Sequence, residues 1–229
     1  HRTSRAQGND METAAAPGLC LAQRGEAQFP LADAHGDDRD PVKFARVLRW
    51  TLQQLAAVQA LGNGSATTLT VVTVEGQIVR AYQIGDSEAL VVGQRGLVKL
   101  QTMPHSPTGF AVEAGFLNEK QALHHEDRHL VSNFLGAADM RIDIGAELRL
   151  QPRDTIMLAS DGVMDNMHLS EIIERIRKGP LREAADRVVA LARHRMTGTS
   201  TAQPSKPDDL SLILFRKTPP KPAAPPSDS

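Results

Sequence analysis

The chain has 229 residues, 41% of them hydrophobic, enough to bury one sizeable core, and its 26 Lys plus Arg against 27 Asp plus Glu leave a formal charge of −1. No overall basic field is available to hold nucleic acid, so any chemistry must come from local clusters. The single cysteine, Cys20, excludes an intrachain disulfide framework and a zinc site of several thiolates, and no apolar run is long enough to cross a bilayer. His1 to Asp10 lack the apolar stretch of a secretory signal, so the expectation is a soluble, cytoplasmic protein with no membrane or nucleic-acid partner.

Leu19 to Gln23 and Ala27 to Leu31 read as short strands about a turn at Arg24-Gly25-Glu26, and they lead into the polar run Asp33-Ala34-His35-Gly36-Asp37-Asp38. Asp40 before Pro41 is a helix start, because the carboxylate caps free N–H groups and proline suits the first helical position. Phe44, Val47, Leu48, Leu52 and Leu55 then recur at helical spacing, to about Leu61. From Thr68 the pattern turns β-rich, with Leu69 to Val74, Gln77 to Ile84, Ala89 to Val92 and Leu97 to Leu100 spaced as an antiparallel meander. Gly109 to Gly136 is mixed and partly helical; Met140 to Leu150 and Thr155 to Ala159 read as further strands. Helices are expected over Ser170 to Lys178 and Leu181 to Arg195, and a last strand over Leu210 to Phe215. The sum is an α+β fold: a single domain over residues 1–217, then a disordered tail rich in Pro, Ala and Ser over 218–229.

Several aspartates sit where apolar β-type runs begin or end. Asp33 follows Phe29 to Ala32, Asp86 follows Ala81 to Gly85, Asp161 follows Ile156 to Ser160, and Asp208 precedes Leu210 to Phe215. Singly each is a turn former or helix cap. Gathered at one end of a set of strands, they would repel one another until a hard cation such as Mg²⁺ or Mn²⁺ relieved the repulsion. Two such ions can activate water and neutralise a phosphoryl group under attack.

The same residues carry a family resemblance. Asp33-Ala34-His35-Gly36, Gly64-Ser65-Ala66-Thr67, Gly85-Asp86-Ser87-Glu88-Ala89, Ser160-Asp161-Gly162-Val163-Met164-Asp165 and Lys206-Pro207-Asp208-Asp209-Leu210-Ser211 stand in the order and approximate spacing of the type 2C metal-dependent protein phosphatases. Glu113 to Ala122, continuing to Arg128 and Leu135-Gly136, resembles the flap of the bacterial branch. The resemblance implies a central antiparallel β-sandwich flanked by helices on both outer faces and two Mn²⁺ or Mg²⁺ ions at one end, with a third, looser ion position. It implies hydrolysis of phosphoserine and phosphothreonine by a water bridging the two ions. It assigns Asp33 to bridge the metals, the Ala34 carbonyl and Asp10 to ligate them, Asp161 and Asp208 to hold one from the far strands, and Asp86 with Asp161 to form the third position. His35 would be the general acid, and Arg5 would clamp the phosphate. The partner implied is a phosphorylated protein, opposite a serine/threonine kinase, and a monomer is expected.

Two departures leave alternatives open. Asn9 stands where the family carries a glutamate, with Glu12 as a fallback, and Asp37 replaces a glycine. A pseudophosphatase that binds phosphoproteins without cleaving them, a phosphatase acting on a sigma-factor regulator, and a non-enzymatic metal-binding sandwich are the rivals. Bland roles are expected elsewhere: Cys20 as inert core, His105, His124, His125 and His129 as surface or packing residues, and Lys206 as the residue ahead of a turn at Pro207.

Overall fold

The structure, a computed structural model, describes residues 19–23, residues 67–198 apart from Gly136 and Ala138, and residues 203–217. The expected strand over Ala27 to Leu31, the expected helix from Asp40 to Leu61 and the tail lie outside the described residues. Two antiparallel sheets organise what is described. In the first, β1 (Leu19–Gln23) pairs with β2 (Thr68–Glu75) and β2 with β3 (Ile78–Ile84), whose other edge carries β6 (Asp143–Ile144) and β7 (Leu148–Arg149). In the second, the order is β5 (Val98–Gln101), β4 (Glu88–Val92), β8 (Thr155–Ala159) and β9 (Leu212–Arg216).

Side-chain alternation explains how the sheets stack. On β4, Ala89 and Val91 join Val72, Val79 and Ala81 of the first sheet and Ile156 and Leu158 of β8 in the core between the sheets. Their neighbours Leu90, Val92, Met157 and Ala159 pack against Ile172 and Ile176 of helix α4 (Leu169–Ile176) and Val188 and Ala192 of helix α5 (Leu181–Met196). With both faces covered, β4 and β8 are buried at every position, so they read as continuous apolar runs although the sheet is antiparallel. A third cluster, Leu69, Val71, Tyr82, Ile84 and Leu135, uses the opposite face of the first sheet.

The expected meander is divided between the two sheets. Strands β2 and β3 belong to one and β4 and β5 to the other, and Gly85-Asp86-Ser87 carries the chain across. The expected strand from Met140 to Leu150 is also broken, into the two-residue segments β6 and β7, with the Gly145 N–H donating to the Ala81 carbonyl between them (2.8 Å). Both segments lie on a sheet edge and are largely exposed, so no buried face enforces a longer regular ladder there. The flap-like stretch forms helix α1 (Pro107–Glu113), helix α2 (Glu119–Leu123) with a reciprocal Asn118–Gln121 capping box, and a 3₁₀ turn at Glu126–His129. A helix not expected, α3 (Asp161–Met164), follows β8 directly. No helix of the described residues is long and apolar enough to cross a membrane.

Arg195, near the end of α5, ties the helical layer to the loop after α3. It donates to both carboxylate oxygens of Glu171 (2.7 and 2.6 Å) and to the Asn166 carbonyl (2.9 Å). The Arg195 hydrogen bond holds the Glu171 carboxyl below its ordinary range. Replacing Arg195 by Met strands the Asn166 carbonyl and one side of the pair, and is expected to cost about 1–3 kcal/mol. Urea unfolding of the two proteins measures this; an unchanged midpoint would show that the fork contributes nothing.

Candidate metal centre

Asp86 sits on the crossover between β3 and β4, and its loop is tied down on all sides. The Thr70 hydroxyl donates to the Ser87 carbonyl (2.6 Å), Gln83 Nε2 donates to the Gly85 carbonyl (3.0 Å), and the hydroxyls of Thr68 and Ser87 are 3.0 Å apart. Gly85 has φ +101°, and a Cβ there would lie 2.3 Å from the Thr68 methyl, so only glycine fits. His105, fully buried, accepts the Gly85 N–H at Nδ1 (3.1 Å), leaving Nε2 to donate to Asp143 (2.9 Å). Its role is packing: it braces the residue before Asp86.

Asp161 and Asp208 are brought together by a close backbone crossing. Ser160, fully buried, exchanges two hydrogen bonds with Ser211: its N–H donates to the Ser211 carbonyl (3.1 Å) and its hydroxyl accepts the Ser211 N–H (3.0 Å). This fixes the start of α3 beside the approach to β9. A Cβ on Gly162 would lie 2.1 Å from the Asp209 carbonyl oxygen, so the absence of a side chain at 162 lets the two segments pass. Asp208 is oriented by the Asp209 N–H, which donates to Oδ1 (2.7 Å).

The residue that joins these acids is Lys206. Its ammonium donates to Oδ2 of Asp161 (2.9 Å) and Oδ2 of Asp165 (2.7 Å), and lies 3.4 Å from Oδ2 of Asp208. It is therefore part of the centre and not a bystander before a turn. Asp165 also escaped the assignment of site residues. It stands four residues after Asp161, one helical turn on, which places both carboxylates on one face of α3.

One lysine does not balance the acids gathered here. Burial, then the charge of Asp161, pushes the Asp86 carboxyl up to about 6, and burial also raises Asp165. Burial alone pulls the Lys206 ammonium down, but its bonds to Asp165 and Asp161 together raise it above the ordinary lysine value. A cavity of about 340 Å³ opens beside the acids, with Asp86, Asp161 and Asp165 on one wall and Met103, Val112 and Met164 among its apolar lining. Glu88 also lines it. That carboxyl is buried at the head of β4, accepts a hydrogen bond from Gln101 Nε2 (3.0 Å), and is pushed up to about 8, chiefly by burial. The sequence signal for Glu88 was its charge at the start of an otherwise apolar strand.

Of the expected site residues, the structure thus gathers Asp161 and Asp208 around Lys206 and places Asp86 within electrostatic reach of Asp161 and Asp165. Arg5, Asp10, Asp33, Ala34 and His35 lie outside the described residues. Among the described residues no three acids or histidines close into a ready metal cage. The donors are nonetheless carboxylate oxygens, the kind a hard divalent cation takes, and they carry negative charge in excess of the one ammonium.

The profile of the protein phosphatase 2C family matches residues 27–197. The chain belongs to the protein phosphatase 2C family. Among curated relatives, a putative protein phosphatase 2C-type of Streptococcus pyogenes is 32% identical over 112 residues, 48% of this chain and 44% of that protein. Probable protein phosphatase 2C 17 of Arabidopsis thaliana is 27% identical over 173 residues, 68% of this chain and 57% of that one. The chain spans about half the length of the curated relatives it matches. Among solved structures, the serine/threonine phosphatase PstP of Mycobacterium tuberculosis superposes with a TM-score of 0.70 at 23% identity, covering 90% of each chain. That of Streptococcus agalactiae gives 0.67 at 22% identity, covering 80% of this chain and 75% of its own. These likenesses establish the phosphatase 2C fold expected from the motifs.

Two outcomes follow for this phosphatase 2C centre. Gly162→Ala forces the Asp209 backbone away from α3 and is expected to destabilise the chain by about 2–4 kcal/mol and to weaken Mn²⁺ binding, read by urea unfolding and calorimetry. Unchanged stability and affinity would show that the crossing is not needed. Glu88 binds its proton more tightly folded than unfolded, so its contribution is full below 4.5 and is lost as pH rises through about 8. Glu88→Gln, measured in chelator, should flatten that loss and be more stable than the parent by about 1–3 kcal/mol near the top of the range; parallel pH profiles would contradict it.

Proposed function

We propose that this chain is a metal-dependent protein phosphatase that hydrolyses phosphoserine and phosphothreonine on other proteins. The observation that carries the reading is the convergence of Asp161, Asp165 and Asp208, with Asp86 coupled to them, at one end of the sandwich of a phosphatase 2C chain. The catalytic domain of PstP has been crystallised with two manganese ions, which supports Mn²⁺ as the ion of choice, with Mg²⁺ as its substitute.

Asp33, Asp10 and the Ala34 carbonyl would hold two such ions, with Asp161 and Asp208 holding one of the two from the far strands. The chemistry that two ions bound there would supply is activation of water and neutralisation of charge at the phosphoryl group. The chain's part is to orient. The Ser160–Ser211 exchange and the Gly162 crossing hold Asp161 and Asp208 in fixed relation. His35 would give its proton to the departing serine or threonine oxygen, and Arg5 would pair with the phosphate. The substrate is a phosphoprotein, opposite a serine/threonine kinase, acted on by a monomer in the cytoplasm. A second reading, a pseudophosphatase, draws on the Lys206 ammonium among the acids and on Asn9.

One assay separates them. Phosphate release from a phosphothreonine peptide should require Mn²⁺, cease in excess chelator, and fall by about 10²–10⁴-fold in His35→Gln, while p-nitrophenyl phosphate, whose leaving group departs without a proton, should slow much less. No release at any Mn²⁺ concentration would favour the pseudophosphatase, and equal slowing of both substrates would take the acid role from His35.

A further inference from the structure

We propose that Lys206 takes the place of the third, outer divalent ion, so that this centre holds two ions and a lysine ammonium. This rests on the metal-dependent reading above and concerns what fills the position among Asp86, Asp161 and Asp165.

Lys206 Nζ reaches one oxygen, Oδ2, of each of Asp161 (2.9 Å), Asp165 (2.7 Å) and Asp208 (3.4 Å). The resemblance assigns the outer ion to Asp86 and Asp161, and Asp161 is a carboxylate that the ammonium already holds. The ammonium takes up Oδ2 of Asp161 and of Asp165, and its like charge repels an ion brought to their remaining oxygens.

The lysine is anchored there from its backbone. Asn166, fully buried, accepts the Lys206 N–H at Oδ1 (2.7 Å) and donates from Nδ2 to the Lys206 carbonyl (2.9 Å) and to the Gly162 carbonyl (2.9 Å). The preceding residue is held as firmly: the Ser205 hydroxyl donates to the Arg195 carbonyl (2.7 Å), and Arg128 donates to the Ser205 carbonyl (2.7 Å). Pro207 then restricts the backbone on the other side. The stem leaves a fixed point, and the side chain as a whole is only 18% exposed. A surface lysine drawn casually toward acids would show neither clamp. A covalently attached cation cannot diffuse away, so the positive charge at this position does not depend on the metal supply.

Mn²⁺ binding to the full 229-residue chain tests the proposal, counted by equilibrium dialysis with atomic emission and by calorimetry. The wild-type chain should bind two ions per molecule. Lys206→Met should bind a third, at least about tenfold more tightly than any third ion on the wild type, and Asp86→Asn in the Lys206→Met background should remove it. Lys206→Arg, which keeps the charge, should return the count to two. Lys206→Gln serves in place of the Met variant if circular dichroism shows the latter misfolded. A wild-type count of three with the third lost in Asp86→Asn overturns the proposal while leaving the phosphatase reading intact, as does an unchanged count in both neutral variants. A wild-type chain that binds no Mn²⁺ overturns the metal-dependent reading and this proposal with it.

Discussion

Carboxylates crowded into a half-buried corner repel one another, and the rest of the structure is arranged around meeting that repulsion. Asp161, Asp165 and Asp208 share one ammonium, and Asp86 beside them is held well above the ordinary aspartate range. Such an arrangement is costly without positive charge and useful with it, because the same repulsion that opposes folding becomes affinity for cations. Stability surrendered at the end of the sandwich is recovered in its middle, where β4 and β8 are buried on both faces and hold the strand ends in place.

Rigidity at the centre comes from short, reciprocal contacts more than from hydrophobic area. The Ser160–Ser211 exchange, the Asn166 clamp on Lys206 and the Thr70–Ser87 bond each fix a backbone segment that carries a charged side chain. These are buried polar networks with their partners supplied, the form in which polar groups specify one arrangement. The glycines at 85 and 162 complete this by allowing approaches that any side chain would block.

Much of this was legible in the chain. Thr155 to Ala159 was readable to the residue because polar Asp154 and Ser160 bound an apolar run, and Asp86, Asp161 and Asp208 were readable because each marks where such a run begins or ends. Asp165 was harder: its i,i+4 relation to Asp161 matters only if α3 is foreseen, and a four-residue helix leaves little periodicity. The ion pairs of Lys206, expected only to stand ahead of a turn, are hidden because its partners are 41 and 45 residues away, beyond any local pattern. The division of the strands between two sheets was hidden for a related reason. Spacing fixes neither the side to which a strand crosses nor its partner, and here the crossing depends on the Gly85 conformation.

The distance along the chain between Asp161 and Lys206 also bears on how the protein is made. Because the ammonium that settles Asp161 and Asp165 is supplied from 45 residues downstream of Asp161, and Asp208 lies beyond it, the corner cannot be assembled before that later segment has been synthesised. The first sheet can pair beforehand, as can β8 with β4, but the acids at the end of β8 wait for β9 to dock alongside it. Closure of the centre therefore requires β9, and a nascent chain stalled before β9 carries its strand ends without the site.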